Sequence, residues 1–448
     1  SAFKALFFYN TCMSITLPVR FEEKMKALLK EEYAEYLSSF DTSGYSCIRI
    51  NTNKFSVERF QQIFPYALRP VPWCKEAFYV DNKTEVSKHP FYYAGLYYIQ
   101  EPSAALPAEV LPVKQGDKVL DLCAAPGGKS VRLLTKLNNT GLLVSNDISS
   151  SRCQALTKNL EKFGARNAIV TCGSSKDIAP VFQEYFDCIL VDAPCSGEGM
   201  FRKEKELIKA YEKRDSSYYV PLQQQILMDA VGMLKQGGYI VYSTCTFSKE
   251  EDEEIIQYAL EHNTDLHVLP VPYCEGFVQN DFGTKLFPHK IQGEGHFTCL
   301  LQKGNTQPVT EETHTMLQYD LGPIHYKQPD AVLYEKKEHL YAMPVVDRDI
   351  SSLRLMRSGV LLGETVKGRF KPNGAFALTL KESMCTNCLK LHVEDSRVLK
   401  YLKGETIQVN EKIEDGIVLV MLEDYPLGFA TYTHGVFKNG YPKGWIYR

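Results

Sequence analysis

Short apolar runs alternate with amphipathic stretches over the middle of the chain, from about residue 100 to residue 303. The runs predict buried strands at 118–122, 142–146, 168–171, 188–191, 239–242 and 297–301, the last of these closing the series. Stretches with apolar residues at helical spacing separate the runs, for instance at 151–163 and 222–234. This alternation predicts right-handed crossovers and therefore an α/β, Rossmann-like fold, with a mainly parallel sheet and helices on both faces.

Different patterns flank this central region. Helical spacing at 18–39, followed by short strands and turns, predicts a small α/β module at the N-terminal end. The last fifty residues combine β-branched and aromatic residues with glycine turns, which predicts a small β-rich module. The polar stretch 302–308 marks a boundary. The predicted division of the chain is 13–99, 100–303, 304–390 and 391–448, with residues 1–12 expected to lie outside the natural protein, which would start at Met13.

Composition narrows the class of protein without naming it. An apolar fraction of 44% and a charged fraction of 23% are typical of a globular protein. The net charge of -3 is a mild objection to nucleic-acid binding, although a local basic groove is compatible with it. No apolar run approaches the length of a membrane helix, and 13 cysteines lack disulfide-framework spacing, which favours a cytoplasmic protein with free thiols. The absence of heptads favours a monomer, and the aromatic cluster at 91–98 favours core packing over base stacking.

A candidate cofactor site lies where the first strand of the central region meets a helix. This turn contains Cys123, Ala124, Ala125, Pro126, Gly127, Gly128 and Lys129. Small residues there let the backbone approach a ligand, which in open α/β sheets binds at the carboxyl ends of the strands. The turn lacks the spacing of dinucleotide and phosphate loops, so a tight turn without a ligand is the alternative. Asp147, which follows the next strand, suits a ribose diol and favours a nucleoside-type cofactor.

Two further strand ends carry cysteines. Cys195 follows Asp192 in an Asp-Ala-Pro-Cys sequence, and Cys245 lies in a Ser-Thr-Cys-Thr sequence. A lone cysteine is usually a small buried hydrophobe, but two thiols at the edge that carries the cofactor turn favour catalysis. The residues alone leave open which of the two thiols is the nucleophile.

Two other patterns carry less weight. Ser248 and Glu251 have the spacing of a capping box at the start of an acidic helix at 250–254. Such a cap would either fix the Cys245 loop or simply begin an ordinary helix. Cys385 and Cys388 form a single CxxC without a second pair nearby, so no metal site is predicted there.

The motifs together resemble the RNA cytosine-5 methyltransferase family, which includes the bacterial RsmB and RsmF enzymes and the eukaryotic NSUN enzymes. The resemblance is carried by DLCAAPGGK at 121–129, Asp147, DAPCSGEGMFRK at 192–203 and STCT at 243–246. The segments 89–104 and 438–444 are similar to the RsmF branch, which methylates 16S ribosomal RNA. The resemblance implies a class I methyltransferase fold, S-adenosylmethionine as cofactor, an RNA-binding module at 13–99 and a PUA-like RNA-binding module at 391–448.

The resemblance also implies roles for individual residues. Cys245 matches the family's nucleophile, and Cys195 matches the cysteine that helps to resolve the covalent adduct. Asp192 and Lys129 match residues that contact the target cytosine. Cofactor contacts are implied for the 123–129 loop, Asp147, Arg152 and Asp192. In such chemistry a thiolate adds to carbon-6, because carbon-5 of cytosine is too weak a nucleophile to take the methyl group unaided.

One departure from the family pattern and two alternatives stay open. Many relatives carry an aspartate that holds the adenine amine after the third strand, where this chain has Gly173-Ser174-Ser175. A serine accepts that hydrogen bond weakly, which puts the adenine contact in doubt. Transfer RNA is an alternative substrate, since no motif of the catalytic core separates it from 16S ribosomal RNA. A catalytically inactive RNA-binding or ribosome-assembly factor on the same fold is the other alternative.

Overall fold

Helices and a small antiparallel sheet form the N-terminal segment. The computed structural model describes residues 16–305 and 315–447, so Met13 and part of the 302–308 boundary lie outside the described residues. The elements of this segment are α1 (Val19–Leu29), α2 (Tyr33–Ser38), β1 (Ser46–Ile50), α3 (Val57–Ile63), β2 (Arg69–Val71), β3 (Cys74–Val80), α4 (Pro90–Tyr93) and β4 (Tyr97–Gln100). The four strands pair antiparallel in the order β2-β3-β1-β4. The predicted α/β module is confirmed, and its last strand ends at Gln100.

The central region contains the predicted parallel strands. They are β5 (Lys118–Asp121), β6 (Leu142–Asn146), β7 (Ala168–Thr171), β8 (Phe186–Asp192) and β9 (Leu234–Thr244). The helices are α5 (Leu106–Val110), α6 (Gly128–Leu137), α7 (Ser150–Lys162), α8 (Ser175–Ile178), α9 (Glu206–Tyr211), α10 (Ser216–Met233) and α11 (Glu253–His262). The parallel strands lie in the order β9-β8-β5-β6-β7. The chain therefore reverses direction across the sheet next to β5, which is where open α/β sheets bind ligands.

Both faces of this sheet are covered by apolar side chains. Val119 of β5 lies in a core with Leu134 of α6 and Leu156 of α7. The next residue, Leu120, points to the opposite face and lies in a second core with residues of α10 and α11. Strands buried on both faces produce the continuous apolar runs seen in the sequence, so the three-layer α/β prediction is confirmed.

Antiparallel strands extend the sheet at both edges. After the parallel strands come β10 (Leu266–Leu269), β11 (Phe277–Asn280), β12 (Gly283–Leu286) and β13 (His296–Lys303), and β13 pairs antiparallel with β9. The prediction that 297–301 closes the series of strands is wrong, because Leu355–Ser358 pairs antiparallel with β7. This later strand covers an edge that is otherwise unpaired. It is too short and irregular to show a clear alternation in the sequence.

The remaining strands comprise β18, which lies at the edge of the central sheet, and the strands of three small sheets. They are β14 (Met316–Leu321), β15 (Ile324–Pro329), β16 (Ala331–Lys336), β17 (His339–Pro344), β18 (Leu355–Ser358, at the edge of the central sheet), β19 (Val360–Val366), β20 (Arg369–Pro372), β21 (Cys388–Leu391), β22 (Gly416–Leu422), β23 (Tyr425–Thr433) and β24 (Val436–Asn439). Helix α12 (Ser396–Leu402) follows β21. The β-rich C-terminal module is thus confirmed, whereas the division of the chain at 99, 303 and 390 stays a prediction.

The N-terminal and C-terminal modules share one apolar core. Phe60 and Tyr97 from the first sheet lie in the same buried cluster as Val420 and Trp445 from the last module. The Phe55 and Tyr425 rings contact each other at 4.9 Å between centroids. The aromatic cluster at 91–98 contributes to this core, so the predicted core packing is confirmed.

Two observations on the described residues bear on the class of protein. The described cysteines are all free thiols. Of the helices within 16–305 and 315–447, none is long and apolar enough to span a membrane.

Candidate active site

The turn between β5 and α6 forms one wall of a cavity. Gly127 has φ +110°, a conformation that favours glycine, and a Cβ there would lie 3.0 Å from the Leu156 side chain. The Ala124 amide donates to the Asn146 carbonyl at 2.7 Å, which ties the turn to the end of β6. The backbone of the turn is therefore held close to the next strand end.

Asp147 lies directly beside this turn. Its side chain is 2% exposed and accepts hydrogen bonds from the Ala125 amide at 3.3 Å and the Ser149 amide at 2.9 Å. The Arg152 guanidinium lies 3.4 Å from the carboxylate and also donates to the Ala125 carbonyl at 2.6 Å. The carboxylate and Arg152 thus both brace the predicted cofactor loop.

The cavity above the strand ends has a volume of ≈ 570 Å³, within the range of small-molecule sites. Predicted site residues that line it are Cys123, Pro126, Lys129, Asp147, Arg152, Asp192, Cys195 and Cys245. Ala124, Ala125, Gly127 and Gly128 shape the loop without lining the cavity. One cavity therefore joins the predicted cofactor residues to both predicted catalytic thiols.

The cofactor end of the cavity fits a nucleoside. Ile148 is 72% exposed on the cavity wall next to Asp147, so a flat base has an apolar surface beside the carboxylate that suits a ribose diol. Ser174 and Ser175, at the position of the family departure, line the same end. Their hydroxyls donate to Asp177 and Asp229, at 2.7 and 2.6 Å, which leaves oxygen lone pairs as the acceptors there.

The two candidate catalytic thiols are in contact. The Cys195 and Cys245 sulfur atoms lie 3.3 Å apart, because their loops follow neighbouring parallel strands in which Asp192 and Ser243 are in register. The hydrogen bond to Cys245, followed by burial, raises the pKa of Cys195 well above its ordinary value. The raised pKa favours the thiol form of Cys195, and either sulfur can donate the hydrogen bond between them.

Asp192 and Lys129 form a charged pair at the floor of the cavity. The Lys129 Nζ lies 2.7 Å from one carboxylate oxygen, and the Ser243 hydroxyl donates to the other oxygen at 2.8 Å. Burial alone raises the pKa of Asp192, but the Lys129 charge, with smaller contributions from hydrogen bonds, holds it well below its ordinary value. Asp192 is therefore an anion that accepts hydrogen bonds in the resting protein.

His296 is a cavity residue that the sequence analysis missed. It is the first residue of β13, 2% exposed, and its Nε2 lies 3.7 Å from the carboxylate of Asp192. Strand β13 runs antiparallel to β9, so its start lies at the edge where the parallel strands end. The histidine before an apolar run at 297–301 was the available signal, but the direction of that strand cannot be derived from its pattern.

Backbone hydrogen bonds join the three loops that carry Cys195, Cys245 and His296. The Gly199 amide donates to the Cys245 carbonyl, and the Gly295 amide donates to the Gly199 carbonyl, each at 2.9 Å. A Cβ on Gly295 would lie 2.6 Å from the Gly199 Cα, so glycine is required for this approach. The loops therefore hold their side chains in a fixed arrangement.

The predicted capping box is wrong. Helix α11 begins at Glu253, and Glu251 accepts hydrogen bonds from the Ser196 amide and from Gln223, each at 2.9 Å. The carboxylate satisfies the backbone of the Cys195 loop instead of the start of a helix. This long-range partner explains the error, because the spacing from Ser248 suggests only local pairing.

A buried ion pair lies behind the three loops. The Arg202 guanidinium binds both oxygens of Glu294, at 2.9 and 2.8 Å, and donates to the Gly293 carbonyl at 2.8 Å. It also donates to the Ser39 carbonyl and the Thr42 hydroxyl, at 3.1 and 3.2 Å. Arg202 thus links the catalytic loops to the N-terminal module.

Possible metal ligands are few among the described residues. Cys385 and Cys388 find no third ligand there, and Cys74, Glu76 and Glu109 are the one group close enough to share an ion. Arg132 pairs with both of these carboxylates, at 2.5 and 2.9 Å. The cation in that cluster is therefore a side chain.

A mainly parallel sheet with a cavity at its switch point, and a glycine-rich loop on the wall of that cavity, are typical of the Rossmann-like methyltransferase fold. Four family descriptions match the chain: the 16S rRNA methyltransferase RsmB/F at 108–302, the N-terminal domain of the 16S rRNA methyltransferase RsmF at 17–102, the RsmF rRNA methyltransferase first C-terminal domain at 319–380, and the methyltransferase RsmF PUA domain at 388–447. The chain belongs to the RsmB/F family of 16S rRNA methyltransferases, whose cofactor is S-adenosylmethionine.

Individual relatives agree with this assignment. The ribosomal RNA small subunit methyltransferase F of Erwinia tasmaniensis is 27% identical, covering 96% of each chain, and that of Aeromonas salmonicida is 28% identical, covering 95% of this chain and 96% of the relative. The crystal structure of a methyltransferase homolog protein from Pyrococcus horikoshii is 31% identical, with a TM-score of 0.55, covering 63% of this chain and 93% of that one. A second structure from the same organism is that of NSun6 with SFG, an S-adenosylmethionine analogue. Its sequence is 20% identical and its TM-score is 0.54. The match covers 64% of this chain and 99% of that one, and it shows a shared fold.

Proposed function

We propose that this protein transfers a methyl group from S-adenosylmethionine to carbon-5 of a cytosine in small-subunit (16S) ribosomal RNA. The observation that carries the proposal is the contact of Cys195 with Cys245 in the same cavity as the cofactor loop and the Asp192–Lys129 pair. A cytosine must leave its stack to enter such a cavity, so the substrate is a flipped or single-stranded nucleotide.

The cofactor end of the cavity is assigned to the 123–129 loop, Asp147, Arg152 and Asp192. Asp147 accepts the hydrogen bonds of a ribose diol, while Ile148 and the loop flank the base and the amino-acid part. The bound cofactor supplies an electrophilic methyl group to carbon-5. The remaining chemistry belongs to side chains of the protein, which must activate the cytosine and release the product.

Cys245 is assigned as the nucleophile and Cys195 as the thiol that assists release. In this assignment Cys245 attacks carbon-6, while the raised pKa of Cys195 keeps a thiol 3.3 Å from the attacking sulfur. The addition gives carbon-5 the electron density that methyl transfer requires. After transfer the carbon-5 proton is lost to solvent, the electrons of that bond expel the Cys245 sulfur from carbon-6, and the adjacent Cys195 thiol stabilises the departing thiolate.

Asp192 and Lys129 are assigned to recognition of the cytosine. An anionic carboxylate accepts a hydrogen bond from the exocyclic amine of cytosine and repels the corresponding oxygen of uracil. Lys129, held 2.7 Å from Asp192, offers a cation to the carbonyl oxygen at carbon-2, on which charge develops during thiol addition. The pair therefore serves both selection and activation of the base.

The flanking modules support RNA as the partner. The C-terminal module matches the RsmF PUA domain, and together with the N-terminal module it shares one core. We propose that both modules bind RNA, and that the protein acts as a cytoplasmic monomer.

Methylation of defined RNAs tests the function. Labelled S-adenosylmethionine is incubated with the protein and, separately, with small ribosomal subunits, free 16S RNA and transfer RNA, and the RNA is digested to nucleosides. We expect label as 5-methylcytidine in the small-subunit RNA. Label in transfer RNA alone would identify transfer RNA, and not 16S ribosomal RNA, as the substrate. No label in any RNA would favour an inactive RNA-binding factor.

The cofactor assignment predicts the effect of Asp147→Asn. The amide keeps the size of the side chain but loses the negative charge that strengthens hydrogen bonds from a ribose diol. We therefore expect cofactor affinity to fall by about tenfold, or ~1.4 kcal/mol. Calorimetric titration with S-adenosylhomocysteine measures this without catalysis. Asp349→Asn serves as the control, because Asp349 is exposed, accepts a hydrogen bond from the Ser351 amide and does not line the cavity. Equal affinity of the Asp147 variant and the wild type would contradict the assignment.

A further inference from the structure

One face of the four-stranded sheet β16-β17-β19-β20 presents aromatic side chains to solvent. Tyr334 of β16 lies directly opposite Tyr341 of β17, and His339 lies two residues before Tyr341, so all three rings share this face. Tyr334 and the side chain of His339 are each 44% exposed, and Tyr341 is half-buried. The ring centroids lie 6.3 Å apart for Tyr334 and Tyr341 and 6.4 Å apart for His339 and Tyr341. We refer to these three residues as the aromatic platform.

The opposite face of the same sheet supplies the core of this segment. Ala342, Val360 and Leu362 lie in a buried cluster with Phe376 and Phe429, and the aromatic platform is not part of that cluster. An antiparallel sheet needs only one apolar face for its core, and the other face is normally polar. Core packing therefore does not account for the rings on the solvent face, which are typical of an interaction site.

Cations cluster at the end of this sheet where its two hairpins turn. The Thr365 amide donates to the Glu338 carbonyl at 2.9 Å, so the β16–β17 turn lies beside the β19–β20 turn. The exposed cations of the two turns, which we refer to as the basic rim, are Lys336, Lys337, Lys367 and Arg369. Lys371 of β20 pairs with Glu364 at 2.7 Å, whereas the basic rim has no ion pair with residues of 16–305 or 315–447.

The charge at this end of the sheet differs from that of the whole protein. Five cations lie there with three carboxylates, those of Glu335, Glu338 and Glu364, although the chain has a net charge of -3. A local excess of positive charge on a negative protein indicates an anionic partner. An apolar protein surface docked on the rings would leave the basic rim without counter-charges.

Exposed rings beside unpaired cations match the chemistry of an unpaired nucleotide. Such a nucleotide offers the flat faces of its base to the rings and its phosphate to the cations, as in sites for single-stranded nucleic acids. In a duplex the base faces are covered by the neighbouring base pairs, so a duplex offers only its phosphates. The combination of rings and cations therefore favours a single-stranded segment.

We propose that the aromatic platform and the basic rim bind an unpaired segment of RNA, with bases stacked on Tyr334 and Tyr341 and phosphates beside the rim. The inference rests on the RNA substrate of the proposed function and adds a second contact to it, because none of these residues lines the catalytic cavity. Strand β18 pairs with β7 of the central sheet, and only Gly359 separates it from β19. The RNA-binding face is therefore attached directly to the sheet that carries the catalytic residues.

The test measures RNA binding in full-length Cys245→Ala protein, which lacks the proposed nucleophile, so that catalysis does not enter the result. A short unstructured oligonucleotide is titrated by fluorescence anisotropy against the parent, Tyr334→Ala, Tyr334→Phe and Arg369→Gln. Phenylalanine keeps the ring face that stacks, so it separates stacking from the loss of the side chain. Tyr273→Ala is the matched control, because Tyr273 is exposed between β10 and β11 and lies outside this sheet. The same oligonucleotide with 4-thiouridine is then photo-crosslinked, and the attached peptides are identified by mass spectrometry.

We expect Tyr334→Ala to weaken binding by about tenfold, the scale of one lost base stack, and Tyr334→Phe to stay within about twofold of the parent. Arg369→Gln should reduce the slope of log Kd against log salt concentration by about one, as for the loss of one phosphate contact. Crosslinks should include peptides from 331–371, and Tyr273→Ala should bind like the parent.

Two results would overturn the proposal while leaving the proposed function in place. One is equal affinity of Tyr334→Ala and the parent, with crosslinks confined to peptides outside 331–371. The other is unchanged affinity for the oligonucleotide together with weaker binding of Tyr334→Ala to assembled small subunits, which would assign the face to a protein partner. An absence of RNA binding by the parent would instead refute RNA as the substrate of the proposed function.

Discussion

Cys245→Ala will abolish methyl transfer, whereas Cys195→Ala will leave the protein covalently attached to its RNA. Loss of a catalytic nucleophile lowers kcat by on the order of 10⁴-fold or more, since the carbon-6 adduct cannot form. Without Cys195, the adduct forms but its release loses the thiol whose sulfur lies 3.3 Å from the Cys245 sulfur. Incubation with S-adenosylmethionine and small-subunit RNA, followed by denaturing electrophoresis, shows the two results as absence and accumulation of a slow band.

A third cysteine supplies the control for these variants. Cys274→Ala removes a half-buried thiol that does not line the cavity, so it should leave both turnover and the electrophoretic pattern unchanged. An adduct with Cys245→Ala and none with Cys195→Ala would exchange the roles of the two thiols. Adduct from neither variant, with methylation intact in both, would disprove covalent catalysis.

Arg202→Met will destabilise the protein by about 3–5 kcal/mol. The substitution leaves the Glu294 carboxylate buried without its cation and removes the hydrogen bonds to Ser39 and Thr42. Burial already raises the pKa of Glu294 against the opposing effect of Arg202, so the unpaired carboxyl will be protonated or rehydrated in the variant. Urea unfolding followed by circular dichroism measures the loss.

An exposed ion pair provides the comparison. Arg20 binds Asp215 at 3.2 Å with its side chain 82% exposed, and Arg20→Met should therefore cost at most about 1 kcal/mol. The double variant Arg202→Met, Glu294→Leu should recover part of the lost stability, because it removes the unpaired charge as well. Equal stability losses for Arg202→Met and Arg20→Met would show that the buried pair does not hold the loops in place.

Much of the site was accessible from the sequence because its residues follow parallel strands. Asp192 ends β8, Cys195 follows it and Cys245 comes after β9, and strand direction alone brings such residues to one edge. The order of the apolar runs was sufficient for that inference. The residue pattern did not choose between the thiols; the family resemblance implied Cys245 as the nucleophile, and this role stays a prediction.

The features that were missed depend on antiparallel or long-range partners. His296 reaches the site because β13 reverses direction, and β18 reaches the sheet from a segment assigned to another module. Glu251 was assigned to a local cap, yet its carboxylate bonds to Ser196, 55 positions away along the chain. Local spacing carries no information on such partners, since they are chosen by tertiary packing.

The core shared by the two ends of the fold has a consequence for synthesis. Residues 46–100 are translated before the central region, but Phe55 and Phe60 pack against side chains such as Tyr425 that are made more than three hundred residues later. One apolar face of the N-terminal sheet therefore stays uncovered while the central region is translated. Folding of this protein is completed only after most of the chain has been made, so the nascent chain is a natural client for chaperones that cover apolar surface.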